Sequence, residues 1–400
     1  MSKWVPVQAG HLQCFHNPKA DSQMAYGTDR QAILSVKKAK LALDTITRWP
    51  NYKVTPLHDL SAMADQANVK KVYYKDESTR FGLKSFKALG GAFAVTRFLQ
   101  QHIGNLTGSE PSMDELLSGQ YKHQLKDVVV SCATDGNHGR SVAWGAKMFG
   151  CQCIIYIHRD VSAGRQAAME AYGAQVIRIA GNYDESVRQA ATEAQANNRV
   201  IISDTSYEGY TEIPANVALG YTVMLAEIVA QLKDEIPTHV FVQAGVGGLA
   251  AAVCGYFWDL WGTQRPRFIV VEPEAANCLQ VSAKAGELRV VEGDLDTLMA
   301  GLACGEVSQI AWQILAQGSD DFITLSEDAI AESMIALQRN TPSIEGGESA
   351  VAGLAACLVA AGNSEWREEL GLNDQSSVLV LGTEGATDPE LYQQLVFGEV

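Results

Sequence analysis

The chain has 400 residues, 47% of them apolar and 19% charged, and a formal net charge of −15. That is ample for a sizeable core and suggests two domains or one large one. An acidic chain without a basic cluster excludes nucleic acid as an expected partner. Met1-Ser2-Lys3-Trp4-Val5-Pro6 opens no apolar run of leader type, and no stretch reads as the roughly 20 apolar residues of a membrane span. No membrane partner is expected, and the expected location is cytoplasmic. Eight cysteines are too few for a disulfide framework in a chain of this length. Cys151 and Cys153 lie two apart beside Ile154–Ile157, on one face of a strand, and read as core rather than as a metal site. There is no CxxC or HExxH spacing, so no structural zinc and no metal are expected.

Residues 1–50 are mixed and carry no clear period. Thr55-Pro56-Leu57 is a turn entry fixed by the proline ring. Lys71–Lys75 alternates like a strand and Ala92–Leu99 reads as a helix. Residues 105–126 read as a loop with one short helix, Met113–Leu117. From Asp127 the pattern becomes regular. Strands are expected at 128–132, 153–157, 175–179 and 200–203, with helices at 137–149, 162–172 and 183–196. A long helix follows at about 215–233. Strands at 240–242, 268–271, 322–324 and 378–381 alternate with helices at 249–258, 327–338 and 347–361. Strands separated by helices of about a dozen residues imply parallel βαβ units, covered by helices on both faces. The expected fold class is α/β, and the N-terminal segment is expected to join the C-terminal half.

Three stretches carry chemistry. Lys84-Ser85-Phe86-Lys87-Ala88-Leu89-Gly90-Gly91 places Lys87 near a strand-to-helix junction. Backbone N–H groups of a first helical turn lack partners there, and their positive end helps to depress a lysine's pKa. A neutral amine at that point can attack a carbonyl; a solvated surface lysine is the other reading. Gln243-Ala244-Gly245-Val246-Gly247-Gly248-Leu249 follows a strand and opens a helix. It is neither a G-x-G-x-x-G dinucleotide fingerprint nor a Walker loop. A single phosphate monoester held by N–H groups suits it, and so does an ordinary tight turn. Thr134-Asp135-Gly136-Asn137-His138-Gly139 lies at the carboxyl end of a buried strand, where open α/β sheets bind ligands. Asp135 alone could be a helix cap, and His138 a packed histidine.

A junction lysine that can form a Schiff base, an Asn loop and a Gly loop together point to pyridoxal 5'-phosphate (PLP) chemistry. Ser85-Phe86-Lys87, Gly136-Asn137-His138-Gly139, Gly245–Leu249 and Thr55-Pro56-Leu57 resemble the motifs of the tryptophan-synthase-like, fold type II PLP enzymes. The resemblance implies two three-layer α/β domains with mostly parallel sheets and PLP in the cleft between them. Residues 1–88 and 215–400 would form the large PLP-binding domain and residues 89–214 the small one. It implies cofactor contacts from Lys87, Phe86, Asn137, Gly245, Val246, Gly247, Gly248, Leu249 and Thr383, the last on the ring nitrogen, with Glu348 a weaker candidate on the pyridine side. Thr134, Asp135, Gly136, His138 and Asp204 are the substrate-binding candidates, and Lys87, Asp135 and Asp204 the catalytic ones.

Asp135 stands where serine and threonine dehydratases carry Ser or Ala, and Gly382-Thr383-Glu384-Gly385 stands where relatives often show Ser-Gly-Gly-Asn. With Asp204 just past a strand end, this set resembles the diaminopropionate ammonia-lyases. That implies elimination of 2,3-diaminopropionate, in both optical forms, to pyruvate and two ammonia molecules by a homodimer acting on a small amino acid. A serine/threonine dehydratase of the same fold and a non-catalytic PLP-binding protein remain the alternatives. Cys278 and Cys304 are expected to be near neighbours at the cofactor edge.

Overall fold

The computed structural model describes residues 7, 10–134 and 136–398. Its eleven strands among these are β1 (Leu12–His16), β2 (Leu57–Asp59), β3 (Lys71–Asp76), β4 (Val129–Ala133), β5 (Gln152–Ile157), β6 (Gln175–Arg178), β7 (Val200–Ile201), β8 (His239–Gln243), β9 (Arg267–Pro273), β10 (Asp321–Leu325) and β11 (Ser377–Gly382). They form a seven-stranded sheet in the order β1-β10-β9-β8-β11-β3-β2 and a four-stranded sheet in the order β6-β5-β4-β7. The four-stranded sheet is parallel throughout. The larger sheet is parallel at its centre, with β1 and β2 antiparallel at its edges. Central strands such as β8 (HVFVQ) and β11 (SVLVLG) are buried at every residue. That is why they read as continuous apolar runs instead of alternating ones.

The chain divides into two compact units, each built on one sheet. The larger comprises Met1–Val36, Val54–Thr79 and Met224–Val400; the smaller comprises Lys37–Lys53 and Arg80–Val223. The division differs from the expected 1–88, 89–214 and 215–400. Trp49 belongs to the smaller unit because it packs on Phe81 and Trp144, with ring centroids 5.9 and 5.6 Å away, while Phe81 and Trp144 stand 4.7 Å apart. Lys87 belongs there too, because it starts a helix, Lys87–Thr107, that runs without a break through residue 89. This helix lies against the helix Asn137–Phe149 at small residues. A Cβ on Gly145 would stand 2.9 Å from the Cα of Ala92, and Ser141 Oγ accepts from the backbone N–H of Ala92 at 3.0 Å.

The helix Glu212–Leu232 corrects one expectation. It has 21 residues with a mean hydropathy of 1.5 over its most apolar window, long and apolar enough by composition to cross a membrane. Sixty-seven percent of that window is buried inside the protein, which marks it as a core helix that is apolar nearly all round. Glu227 and Gln231, near its end, serve a polar pocket of the larger unit. The Lys75 ammonium donates to Glu227 Oε2 (2.7 Å), Gln231 Oε1 (2.9 Å) and the Thr55 carbonyl (2.8 Å). The two charged side chains are 0% and 2% exposed. Removing one member of such a pair leaves the other charge buried, so E227A should cost about 3–5 kcal/mol. A shift of the urea midpoint at unchanged slope will measure it.

Candidate active site

In both sheets the candidate residues follow strand carboxyl ends, as ligand-binding residues do in open α/β sheets. In the smaller unit, β4 leads into 134–139 and β7 into Asp204; in the larger, β8 leads into 243–249 and β11 into Thr383.

Lys87 is the first residue of its helix. The turn before it holds two non-glycine residues in the left-handed region, Phe81 (φ 51°) and Lys84 (φ 55°). Such backbone costs about 1–3 kcal/mol per residue and gathers at functional sites. The Lys87 N–H donates to Ser85 Oγ at 3.3 Å. Its ammonium is ion-paired with Asp204 Oδ2 and stands 5.8 Å from the centroid of the Phe86 ring. Phe86 in turn packs on Tyr221, centroids 4.6 Å apart. Both charged side chains remain partly open, 24% for Lys87 and 17% for Asp204.

His138 completes this cluster. The Ile202 carbonyl accepts a hydrogen bond from Nε2 at 2.7 Å, which requires the proton on that nitrogen. Nδ1 lies 3.9 Å from Asp204 Oδ2. Burial pushes the His138 pKa down, and the Lys87 charge adds to that against the pull of Asp204; the ring is neutral at neutral pH. Burial pushes Asp204 the other way, but the Lys87 ammonium, by charge and hydrogen bond, outweighs it and holds the carboxyl well below the usual range. Asp204 is therefore a carboxylate at any working pH. The loop that carries it is pinned by Tyr210, whose hydroxyl accepts from Ser203 N–H (3.0 Å) and donates to the Ile201 carbonyl (2.7 Å).

The Asn loop is shaped by Thr134. Its buried Oγ1 accepts from the N–H groups of Gly136 (3.1 Å) and Gly139 (3.2 Å). Asn137 opens the helix, and its Oδ1 accepts from Arg140 Nη2 at 2.8 Å. Asp135 lies outside the described residues. Tyr221 was not singled out from the sequence. Its hydroxyl is buried without a hydrogen-bond partner among the described residues, and burial raises its pKa, with Lys87 and Asp204 the charges that act on it. No sequence motif marks it, since it lies inside a long apolar helix.

In the larger unit the glycine loop is the N-terminus of the helix Gly248–Trp261. Gly247 caps it at φ 93° and, as a glycine, offers the first turn no side-chain cap. The N–H groups of a first helical turn suit an anion, and the helix dipole favours one. Val246 holds the loop by accepting from Ser308 N–H at 2.9 Å. A Cβ on Gly247 would meet Ala311, Leu315 and Leu279 at 3.2–3.4 Å. G247V is therefore strained in its backbone and crowded from the core side. It should weaken cofactor affinity by at least about tenfold, the equivalent of one strained residue, as measured by PLP titration with the fold checked by circular dichroism.

Thr383 follows β11 and is buried. Its hydroxyl oxygen lies 2.9 Å from Gln243 Nε2, whose two protons are shared among it and the carbonyls of Ala350 (3.0 Å) and Leu381 (2.8 Å). Accepting from Gln243 leaves the Thr383 proton to be donated onward, as a pyridine nitrogen requires. Gln243 is a second residue without a role in the sequence reading, although a polar residue ending an apolar strand was a visible signal. Glu348 is buried, in a turn that precedes the helix Ala352–Ala361 rather than at a helix start. That turn is laced to residues 384–386 through Gly347 N–H to Glu384 O (3.0 Å) and Ala386 N–H to Glu345 Oε1 (2.9 Å). Cys278 and Cys304 are free thiols that approach the same glycine. Cys278 Sγ lies 3.7 Å from Gly245 O, and a Cβ on Gly245 would stand 2.9 Å from Cys304 Sγ.

A lysine amine at a helix start in the smaller unit, and in the larger a helix N-terminus that suits a phosphate and a hydroxyl proton suited to a ring nitrogen, are each donor types that PLP requires. The chain belongs to the pyridoxal-phosphate-dependent enzyme family, whose model matches residues 49–383. Within that family it stands with the diaminopropionate ammonia-lyases. The Salmonella typhimurium diaminopropionate ammonia-lyase is 37% identical over 388 residues, covering 93% of this chain and 95% of the relative. The crystal structure of the holo Escherichia coli diaminopropionate ammonia-lyase superposes with a TM-score of 0.88 at 34% identity, covering 98% of this chain and 97% of that one. The E. coli protein in complex with an aminoacrylate-PLP azomethine reaction intermediate matches with a TM-score of 0.87 at 33% identity, covering 98% of each chain.

Proposed function

We propose that this chain is a PLP-dependent ammonia-lyase that converts 2,3-diaminopropionate, in its D and L forms, to pyruvate and two ammonia molecules. The observation that carries the reading is the Lys87–Asp204 ion pair, an amine poised against a partly open carboxylate. The likeness to diaminopropionate ammonia-lyases over nearly the whole chain supports the substrate.

When bound, PLP draws electrons from the bonds of the substrate's Cα and makes its proton acidic. The chain's own residues do the rest. The first turn at Gly248–Leu249, with Gly245–Gly247 before it, binds the phosphate. Thr383, fixed by Gln243, donates its proton to the ring nitrogen. Lys87 holds the cofactor and, once free, takes the Cα proton from its own face. Asp204 orients the Lys87 amine and receives the substrate's β-ammonium, since opposite charges at short range favour both charged forms. Thr134 shapes the loop 134–139 for the substrate carboxylate, with Asn137 reaching the ring oxygen. Loss of the Cα proton and of the β-nitrogen as ammonia leaves an enamine. One water hydrolyses it to pyruvate and the second ammonia, so the atoms balance.

The test is pyruvate release by purified protein from D- and L-diaminopropionate beside serine and threonine. Preference for serine or threonine over both diaminopropionate isomers would make the chain a dehydratase, and no turnover of any would make it a non-catalytic PLP-binding protein. We also read the chain as a cytoplasmic homodimer. Eight free thiols suit a reducing compartment, and the likeness to fold type II enzymes supports the dimer. A single-chain mass by light scattering would overturn the latter.

A further inference from the structure

We propose that Cys14, His16 and Asp321 form a binding site for a zinc-like divalent cation at the edge of the larger sheet. Nothing in the reaction above uses these residues. Cys14 and His16 are two apart on β1 and therefore share a face. The antiparallel register places His16 opposite Asp321 of β10. The three donor atoms converge: Cys14 Sγ lies 3.9 Å from His16 Nδ1 and 4.0 Å from Asp321 Oδ1, and Nδ1 lies 2.5 Å from Oδ1. All are within 4.8 Å of one another. A sequence scan for CxxC or HExxH cannot see this set, since 305 positions separate His16 from Asp321.

The donor set and its surroundings select the cation. One sulfur, one imidazole nitrogen and one carboxylate oxygen suit zinc, where magnesium and calcium prefer oxygen alone. A ligating histidine ordinarily donates its other ring N–H to a carboxylate, and His16 Nε2 stands 3.3 Å from Glu369 Oε2. Arg267 fixes the buried Asp321 through Nε to Oδ2 (2.7 Å) and Nη2 to Oδ1 (3.0 Å), and the same Nη2 lies 3.4 Å from His16 Nδ1, so its side chain must yield on that edge when a cation enters. Donors around a tetrahedral zinc stand about 3.3 Å apart. The His16 ring, 47% exposed, has room to back away from Asp321 by that margin, and a water takes the fourth position. A cation there clasps the edge strand β1 to β10.

Binding must displace the Cys14 proton.

The experiment uses the full-length holoenzyme, stripped with a chelator and titrated with Co²⁺ as the spectroscopic probe. One equivalent should give a thiolate-to-cobalt charge-transfer band that Zn²⁺ abolishes. C14S and H16Q should lose the band and bind Zn²⁺ at least about tenfold more weakly, and E369Q should bind it about 10–100-fold more weakly. Turnover should be unchanged in all three variants. Absence of a band, or a band that persists at full strength in both C14S and H16Q, overturns the site. Unchanged Zn²⁺ affinity in E369Q counts against the outer carboxylate.

Discussion

K87A is expected to abolish turnover and to remove the cofactor's visible absorbance from the purified protein. Lys87 and Lys84 are the two amines of this segment, and their placement separates them. Lys87 begins the helix and its ammonium is paired with Asp204, whereas Lys84 sits on the left-handed turn before it. A primary amine that both holds the carbonyl and moves a proton cannot be replaced by water without losing both functions. The loss should exceed the 10²–10⁴-fold, roughly, that a general base contributes alone. Borohydride reduction followed by peptide mapping should place the pyridoxyl label on Lys87. A label on Lys84, or turnover within about tenfold of wild type in K87A, would sink the assignment.

Much of this was legible because single stretches carry it. The helix Asn137–Phe149 follows a glycine, and the helix Tyr183–Ala196 opens on Asn182 and Glu185 in a capping box; both run between their expected ends. The glycine loop at 245–248 announces its helix N-terminus in the same way. What was not legible depends on partners distant in sequence. Strand β1 shows a mixed burial pattern over five residues, so no clean alternation betrayed it. Its place is set by Asp321–Leu325 pairing more than 300 positions away. The Lys87–Asp204 pair spans 117 positions and the Gln243–Thr383 bond 140. The long helix Glu212–Leu232 hid its apolar character because Asn216 and Glu227 interrupt it, and its polar end is paired with Lys75 and Thr55. Tyr221 had no local signal of any kind.

Asp135 and Asp204 should separate when each is changed to asparagine, which keeps the shape and removes charge and basicity. Asp204 is bound to the Lys87 amine. It orients the residue that serves every substrate and receives the β-ammonium that both isomers carry, so D204N should lower turnover of D- and L-diaminopropionate together. Asp135 stands where dehydratases carry a small neutral residue, in the loop proposed to receive the substrate carboxylate, and an anion is costly there unless it meets a cation or takes a proton. One isomer presents its Cα proton away from Lys87, and we propose Asp135 as the base for that face. D135N should therefore lower turnover of one isomer, expected to be D, by about 10²–10⁴-fold, with a far smaller effect on the other. The measurement is kcat/KM for both isomers in both variants, since loss of an interaction made only in the transition state lowers kcat and kcat/KM alike. Equal losses on the two isomers in D135N would end the separate-base reading and leave Asp135 a substrate-positioning residue. An isomer-selective loss in D204N would instead make Asp204 the base for that isomer.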